Sequence, residues 1–236
     1  MSIHKSSKDY YNELESGIIF LKDLIDKYKN NQNIEIEIRI GRIDHITFKP
    51  GINNINFLNK ILNNFKSANC WDKIEIENTK EIFNSNIKKI ISLDNLSYKF
   101  INKIQKEKHD FIYENSPFDI RINVAEEKEI LEKEIIKNKT INFNENDNFT
   151  RIKHRNKFYY KNEFVIDITN VKEINNTVII EKYEIEVELL NLNSSMSSIY
   201  KAHSALLLIR DMINFCEELN ESAELLQLEI SDLKIS

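Results

Sequence analysis

The sequence predicts an α+β fold: eight antiparallel strands closed into a barrel, a tunnel with a charged interior, with helices flanking it. Three observations predict this. A two-residue alternation of apolar and polar side chains dominates residues 34–190. Helical periodicity is confined to a leading stretch, one short insertion and a trailing stretch. Third, two segments far apart in the chain each set apolar residues against carboxylates. Ile34, Ile36, Ile38 and Ile40 oppose Glu35, Glu37 and Arg39, while Tyr183, Ile185, Val187 and Leu189 oppose Glu184, Glu186 and Glu188.

The leading helix covers about 10–30, with Leu14, Ile18, Leu21 and Ile25 on one stripe. Strands are expected at 34–41, 73–79, 81–84, 97–114, 118–125, 149–160, 163–171 and 178–190, and a short helical pattern at Asn56 to Phe65. Turn chemistry separates them at Gly41, Asn53-Asn54, Asn84 to Asn86, Ser116-Pro117, Asn144 to Asn148 and Asn175-Asn176. The segment Glu126 to Ile136 fits an exposed helix or a charged edge strand equally and is left unassigned. A last helix runs over 197–219, with Ile199, Ala202, Leu206, Ile209 and Ile213 in phase and Ser194 or Ser195 as its cap. With no internal repeat or linker pattern, one domain over 1–236 is expected.

The formal charge of −5 argues against a broad basic surface for nucleic acid, so a polyanion must be met by a local site. Cys70 and Cys216 have no metal or disulfide spacing, and no apolar run is long enough for a signal peptide or a membrane span. The expectation is a soluble, intracellular protein that is not secreted and meets no membrane.

Charged faces recur on at least five strands. Arg151, Lys153 and Arg155 form a basic row; Asp167 and Thr169 share a side, as do Asp119, Arg121 and Asn123. Any one such strand is ordinarily the solvated face of a sheet. The set argues otherwise, because same-sign rows cost stability unless a counter-charge sits among them. Carboxylates two positions apart on a strand lie about 6.6 Å apart, and opposed residues on paired strands about 5 Å apart. A hard divalent cation would relieve four glutamates gathered that way. An eight-stranded barrel is wide enough for one small ligand, and a polar interior leaves its apolar side facing outward for helices to cover.

Glu35-Ile-Glu37-Ile-Arg39 and Glu184-Ile-Glu186-Val-Glu188 resemble the first and last strands of the triphosphate tunnel metalloenzymes. Ser116-Pro117-Phe118-Asp119-Ile120-Arg121-Ile122, Arg151-Ile-Lys153-His-Arg155 and Asp167-Ile-Thr169-Asn-Val171 follow in the order seen in the RNA 5′-triphosphatases of fungal and DNA-virus mRNA capping systems. The resemblance covers most of 34–190. It implies Mg²⁺ or Mn²⁺ held by Glu35, Glu37, Glu186 and Glu188. Arg39, Arg121, Arg151, Lys153 and Arg155 would bind the phosphates, with Asp167 and Thr169 in support. Glu184 would orient or deprotonate the attacking water, or pair with a tunnel arginine. Val165 stands where several relatives carry arginine. A further tunnel lysine is expected among Lys128, Lys133, Lys137 and Lys139, with Lys106 and Lys108 as weaker candidates.

The activity implied is hydrolysis of the γ-phosphate of triphosphate-ended RNA, with nucleoside triphosphates as side substrates, in the cytoplasm, a viral factory or a virion. A guanylyltransferase domain or protein would be the partner, since no nucleotidyltransferase lysine motif is visible. Inorganic or thiamine triphosphate hydrolysis, or a non-catalytic polyphosphate-binding barrel, are the alternatives. No Ser-His-Asp elbow, Walker loop or dinucleotide glycine pattern is present, the five histidines lack ligand spacing, and Trp71 and the tyrosines read as packing.

Overall fold

Eight strands close on themselves in the computed structural model, which describes residues 7–52, 54–112, 118–137, 141–144 and 148–214, with side chains of the first helix described from Ser16. In chain order the elements are α1 (Ser7–Tyr28), β1 (Ile34–Asp44), β2 (Thr47–Pro50), α2 (Ile55–Ser67), β3 (Lys73–Asn84), β4 (Ile87–Ser92), β5 (Tyr98–Phe111), β6 (Asp119–Ile130), α3 (Glu132–Lys137), β7 (Thr150–Tyr160), β8 (Phe164–Asn175) and β9 (Val178–Leu189). A final helix, α4, occupies 198–214. The barrel order is β1-β6-β5-β4-β3-β7-β8-β9, and β9 pairs back onto β1 to close it. Every ladder is antiparallel.

β1 carries the closure because its two halves have different partners. Ile36 to Arg39 pair with β9, and Gly41 to Asp44 pair with β2, a spur outside the barrel. Gly41 sits at the handover within the strand, not in a turn: a Cβ there would lie 2.3 Å from the Lys49 carbonyl oxygen. Gly51, at φ +97°, lets the chain leave β2 against Tyr183, whose carbonyl oxygen would lie 2.5 Å from a Cβ. Asn54 caps α2, accepting from the backbone N–H of Asn56 at 2.9 Å.

The strand expectations need three corrections. The segments 73–79 and 81–84 are one strand, β3, running through Lys80. β4 and β2 went unassigned, so the expected eight was reached with the wrong membership. Ile87-Lys-Lys-Ile-Ile-Ser hid β4 because isoleucine and lysine stand on both of its faces. The unassigned stretch divides: 126–130 extends β6 and 132–137 forms α3. α4 begins after Ser197, whose hydroxyl oxygen accepts from the Tyr200 N–H, so the cap is neither Ser194 nor Ser195. The expected Ser116-Pro117 turn and the end of the last helix lie outside the described residues.

The hydrophobic core lies outside the barrel. Ile36, Ile38, Ile122, Ile166, Ile185 and Val187 point away from the tunnel and have no accessible surface. They pack under Leu21 and Ile25 of α1, Ile61 of α2, and Ala202, Ala205 and Ile209 of α4. Trp71 packs on Phe65 and Phe158 and donates its indole N–H to the Phe65 carbonyl at 2.6 Å. Lys201 of α4, fully buried, pins the chain after β9: its ammonium donates to the carbonyls of Leu190 and Asn191 and pairs with Glu163 at 2.6 Å. Among the described residues no helix is long and apolar enough to cross a membrane.

The covered and uncovered sides differ in what they tolerate. Ile38→Ala is expected to cost about 2–5 kcal/mol in urea unfolding. Ile76→Ser, at a position 56% exposed on the outer face of β3, should cost about 0.5 kcal/mol or less. Equal costs at the two positions would contradict a core confined to the helix side.

Candidate active site

Directly opposed residues in an antiparallel ladder share a face, so the register fixes which side chains meet in the tunnel. Glu37 opposes Asn123 on one side and Glu188 on the other. Arg39 opposes Glu186, Glu186 opposes Asp167, and Asp167 opposes Lys157. Further round, Arg155 faces Thr169 and Glu77, Lys153 faces Thr79, and Arg151 faces Glu173 and Glu81. The cavity, open to solvent, measures about 530 Å³. It is lined by eight carboxylates (Glu35, Glu37, Glu77, Glu81, Glu127, Asp167, Glu186, Glu188) and eight cations (Arg39, Lys88, Lys99, Lys103, Arg151, Lys153, Arg155, Lys157). The lining is balanced, so an anion entering alone or a cation entering alone would unbalance it.

Acidic and basic rows meet at β3 and β7, and ion pairs interlock there and around Glu37. Asn123 donates to Glu37 Oε1 at 2.7 Å, and Arg39 Nη2 lies 2.8 Å from the same oxygen. Lys153 pairs with Glu81 at 2.9 Å, Arg155 with Glu77 at 3.2 Å, and Arg151 closely with Glu184. Pairing is nevertheless incomplete. Arg39 Nε lies 2.8 Å from Glu186 Oε1, Arg155 Nε 3.2 Å from Asp167 Oδ2, and Arg151 Nε 3.5 Å from Glu173 Oε1. None of these three buried Nε donors is aligned for a hydrogen bond, and Glu186 Oε1, Asp167 Oδ1 and Thr169 Oγ1 are buried without a partner. The attraction is present and the directed bonds are not, which leaves donors free for an acceptor-rich ligand.

The S. pombe Pct1 RNA triphosphatase superposes with a TM-score of 0.64 at 15% identity, covering 83% of this chain and 92% of that one. The same protein in complex with the Spt5 CTD gives 0.64 at 14%, covering 90% and 98%. The Mimivirus capping enzyme triphosphatase gives 0.55 at 18%, covering 89% and 98%. This chain has their tunnel fold. At these identities the likeness speaks for the fold alone, and no protein-family model and no curated sequence matches the chain.

Most of the predicted residues line this tunnel: Glu35, Glu37, Glu186, Glu188, Arg39, Arg151, Lys153, Arg155 and Asp167. Arg121, Glu184 and Thr169 do not line the cavity. Arg121 makes a two-pronged bond to Asp110, at 2.6 and 2.8 Å, and lies over the Phe48 ring. Glu184 is buried against Arg151. Of the candidate lysines, Lys128, Lys133 and Lys108 are exposed, Lys106 pairs with Glu126 at 2.6 Å, and Lys139 and the Lys137 side chain lie outside the described residues. Besides Lys153, the lysines that line the tunnel are Lys88, Lys99, Lys103 and Lys157, and β3 adds Glu77 and Glu81. Lys157 continues the 151, 153, 155 row, and Glu75-Ile-Glu77 repeats the Glu-x-Glu alternation of β1. Both signals were available in the sequence.

The donor set suits a hard cation, since it is all carboxylate and Glu186 Oε1, although 2.8 Å from Arg39 Nε, takes part in no aligned hydrogen bond. Among the described residues no three His, Cys, Asp or Glu side chains already stand as a finished ligand set. Burial and the neighbouring Glu37 push Glu35 up to about 7; burial, with Glu35 and Asp167 nearby, pushes Glu188 up to about 8. Burial would raise Glu37 and Glu81 as well, but Arg39 and Lys103 hold the first at about 2, and Lys153 and Lys88 the second. Burial lowers Lys153 despite Glu81, with Arg151 and Arg155 adding to the effect.

Because Glu188 keeps its proton in the folded state up to about pH 8 and loses it near 4.5 when unfolded, its contribution to stability falls as pH rises between those values. Glu188→Gln should therefore melt higher than the unmodified chain at pH 8 in chelator, by roughly 2–4 °C per kcal/mol relieved, with the gap shrinking toward pH 5. A gap that is the same at both pH values would contradict this account of Glu188.

Proposed function

We propose that this chain is a metal-dependent RNA 5′-triphosphatase that releases the γ-phosphate of triphosphate-ended RNA, the first step of mRNA capping, and that it also hydrolyses nucleoside triphosphates. One observation carries the reading: three arginines, Arg39, Arg151 and Arg155, line one cavity, and the buried Nε of each lacks an aligned acceptor. A polyphosphate tail offers the acceptors that set lacks. That solved structures of the same fold come from RNA triphosphatases supports the choice of RNA.

Phosphoryl transfer asks the protein mainly for charge stabilisation and alignment. Glu35, Glu37, Glu186 and Glu188 would hold Mg²⁺ or Mn²⁺, which when bound supplies Lewis-acid charge to a phosphoryl oxygen. Arg39, sharing Glu37 and Glu186, ties the first strand to the last and would bring positive charge to the phosphate. Arg155 and Lys153 add a planar fork and a point charge on one strand face. Asp167 holds Arg155, as Glu184 holds Arg151; the part the geometry favours for Glu184 is positioning. Arg121, held by Asp110, would meet more distal parts of the substrate.

Glu37→Ala or Glu186→Ala is expected to lower metal-dependent phosphate release from γ-labelled RNA about 100-fold or more while circular dichroism stays unchanged. Near-normal turnover in either variant would remove the metal assignment. Parallel assays on tripolyphosphate and thiamine triphosphate decide the substrate, RNA being expected to react with the highest kcat/KM.

A further inference from the structure

Lys103 was not among the lysines expected from sequence, yet it has the most carboxylate neighbours of any lysine in the tunnel. Its ammonium makes a close ion pair with Glu35, lies 3.8 Å from Glu37 Oε1 and 3.0 Å from Glu127 Oε1. Lys88 reaches the same Glu127 oxygen, also at 3.0 Å. At its base, the Lys103 backbone N–H donates to the Asn86 carbonyl at 2.8 Å, which fixes the root of the side chain at the β3–β4 turn. Two of the three carboxylates it touches are the first-strand glutamates, and the third is shared with another cation.

An ammonium and a divalent cation cannot occupy the same carboxylate oxygens, because two positive charges a few ångströms apart in a poorly screened cavity repel strongly. We propose that Lys103 is the resident counter-ion of Glu35 and Glu37 and must give up both, keeping only its contact with Glu127, before a divalent cation binds them. This rests on the proposed reading of those two glutamates as metal ligands. Glu127, already 3.0 Å from the ammonium, retains it, and the flexible four-carbon stem allows the move. The local charge explains why this is useful. Glu35, Glu37 and Glu127 are balanced by Lys103, Lys88 and Arg39; a divalent cation added to that group leaves an excess of positive charge beside two ammonium groups on one carboxylate. A polyphosphate tail removes the excess. Lys103 thus makes the empty tunnel self-sufficient and makes cation and anion bind best together. Lys106, on the same strand but paired with Glu126 on the outer side, is an ordinary surface ion pair for comparison.

Mn²⁺ titration of the full chain, followed by the electron paramagnetic resonance of free Mn²⁺ with no triphosphate present, tests the idea without turnover. Lys103→Met is expected to bind Mn²⁺ about tenfold more tightly than the unmodified chain. Lys103→Arg and Lys106→Met should stay within about twofold. Lys88→Met is the sharper comparison, since it removes a positive charge that touches Glu127 but neither first-strand glutamate; it should tighten binding far less than Lys103→Met. In chelator, Lys103→Met should melt below the unmodified chain, and saturating Mn²⁺ should close the gap. Lys103→Gln serves the same test where the Met variant does not hold its fold. Unchanged or weaker binding in Lys103→Met, equal tightening in Lys88→Met, or no Mn²⁺ binding in either chain overturns the proposal. An unmodified chain that hydrolyses RNA alongside an unresponsive Lys103→Met would leave the proposed function standing and remove this inference alone.

Discussion

The structure depends on a charge constraint: more than a dozen ionised groups are enclosed by a barrel, where unpaired charge is costly. The antiparallel ladder meets this constraint geometrically. Because opposed residues share a face, an acidic strand placed beside a basic strand neutralises it pair by pair, as β3 does for β7 and β8 does for β7 from the other side. Where two acidic strands meet, at β1 and β9, neutralisation fails. Glu37 and Glu188 stand directly opposed; burial pushes the carboxyls of Glu35 and Glu188 up, with Glu37 adding to the first and Glu35 and Asp167 to the second. The seam that closes the barrel is therefore also the place where a positive charge would relieve the most repulsion.

Much of this was legible in the sequence because a strand's period of two writes inside and outside in alternate positions. β1, β7, β8 and β9 could be read that way, since each keeps one face apolar and the other charged. β4 could not, with isoleucine and lysine mixed on both faces, and it supplies Lys88. Lys103 escaped for a related reason: its strand, β5, carries an irregularity between Gln105 and Glu107, so counting back from Lys106 and Lys108 puts the wrong residues inside. The role of Arg121 was illegible for a different reason, and for Glu184 the sequence offered pairing with a tunnel arginine without naming which. Periodicity gives a face, whereas their partners, Asp110 and Arg151, are set by the register between strands.

Incomplete pairing inside the tunnel is selective. Lys153 and Glu81 pair at 2.9 Å, and Lys153 with Lys88 holds the Glu81 carboxyl down to about 2 against its burial. The arginine Nε atoms of Arg39, Arg151 and Arg155 instead sit within Coulomb reach of carboxylates and out of hydrogen-bond alignment. Such groups gain stability from proximity and keep a directed donor in reserve. A ligand that supplies oxygens in the right direction gains those bonds without first having to break aligned ones.

The inversion of the fold, with charge inside and the apolar core outside, also divides the barrel mechanically. β1, β6, β8 and β9 bear the four glutamates, Arg39 and Asp167, and their outer faces are sealed under α1, α2 and α4. β3, β4 and β5 bear Glu77, Glu81, Lys88, Lys99 and Lys103, and parts of their outer faces meet solvent at Ile74, Ile76 and Ile104, although Ile82 and Phe100 are buried. Fewer buried contacts on that wall mean a smaller cost for local displacement. The wall holding the glutamate seam is thus backed by the core, and the wall carrying Lys88, Lys99 and Lys103 is the less fully backed one. Lys201 completes this division from the covered side. By fastening α4 to the segment just after Glu188, it fixes the end of the strand on which the seam depends.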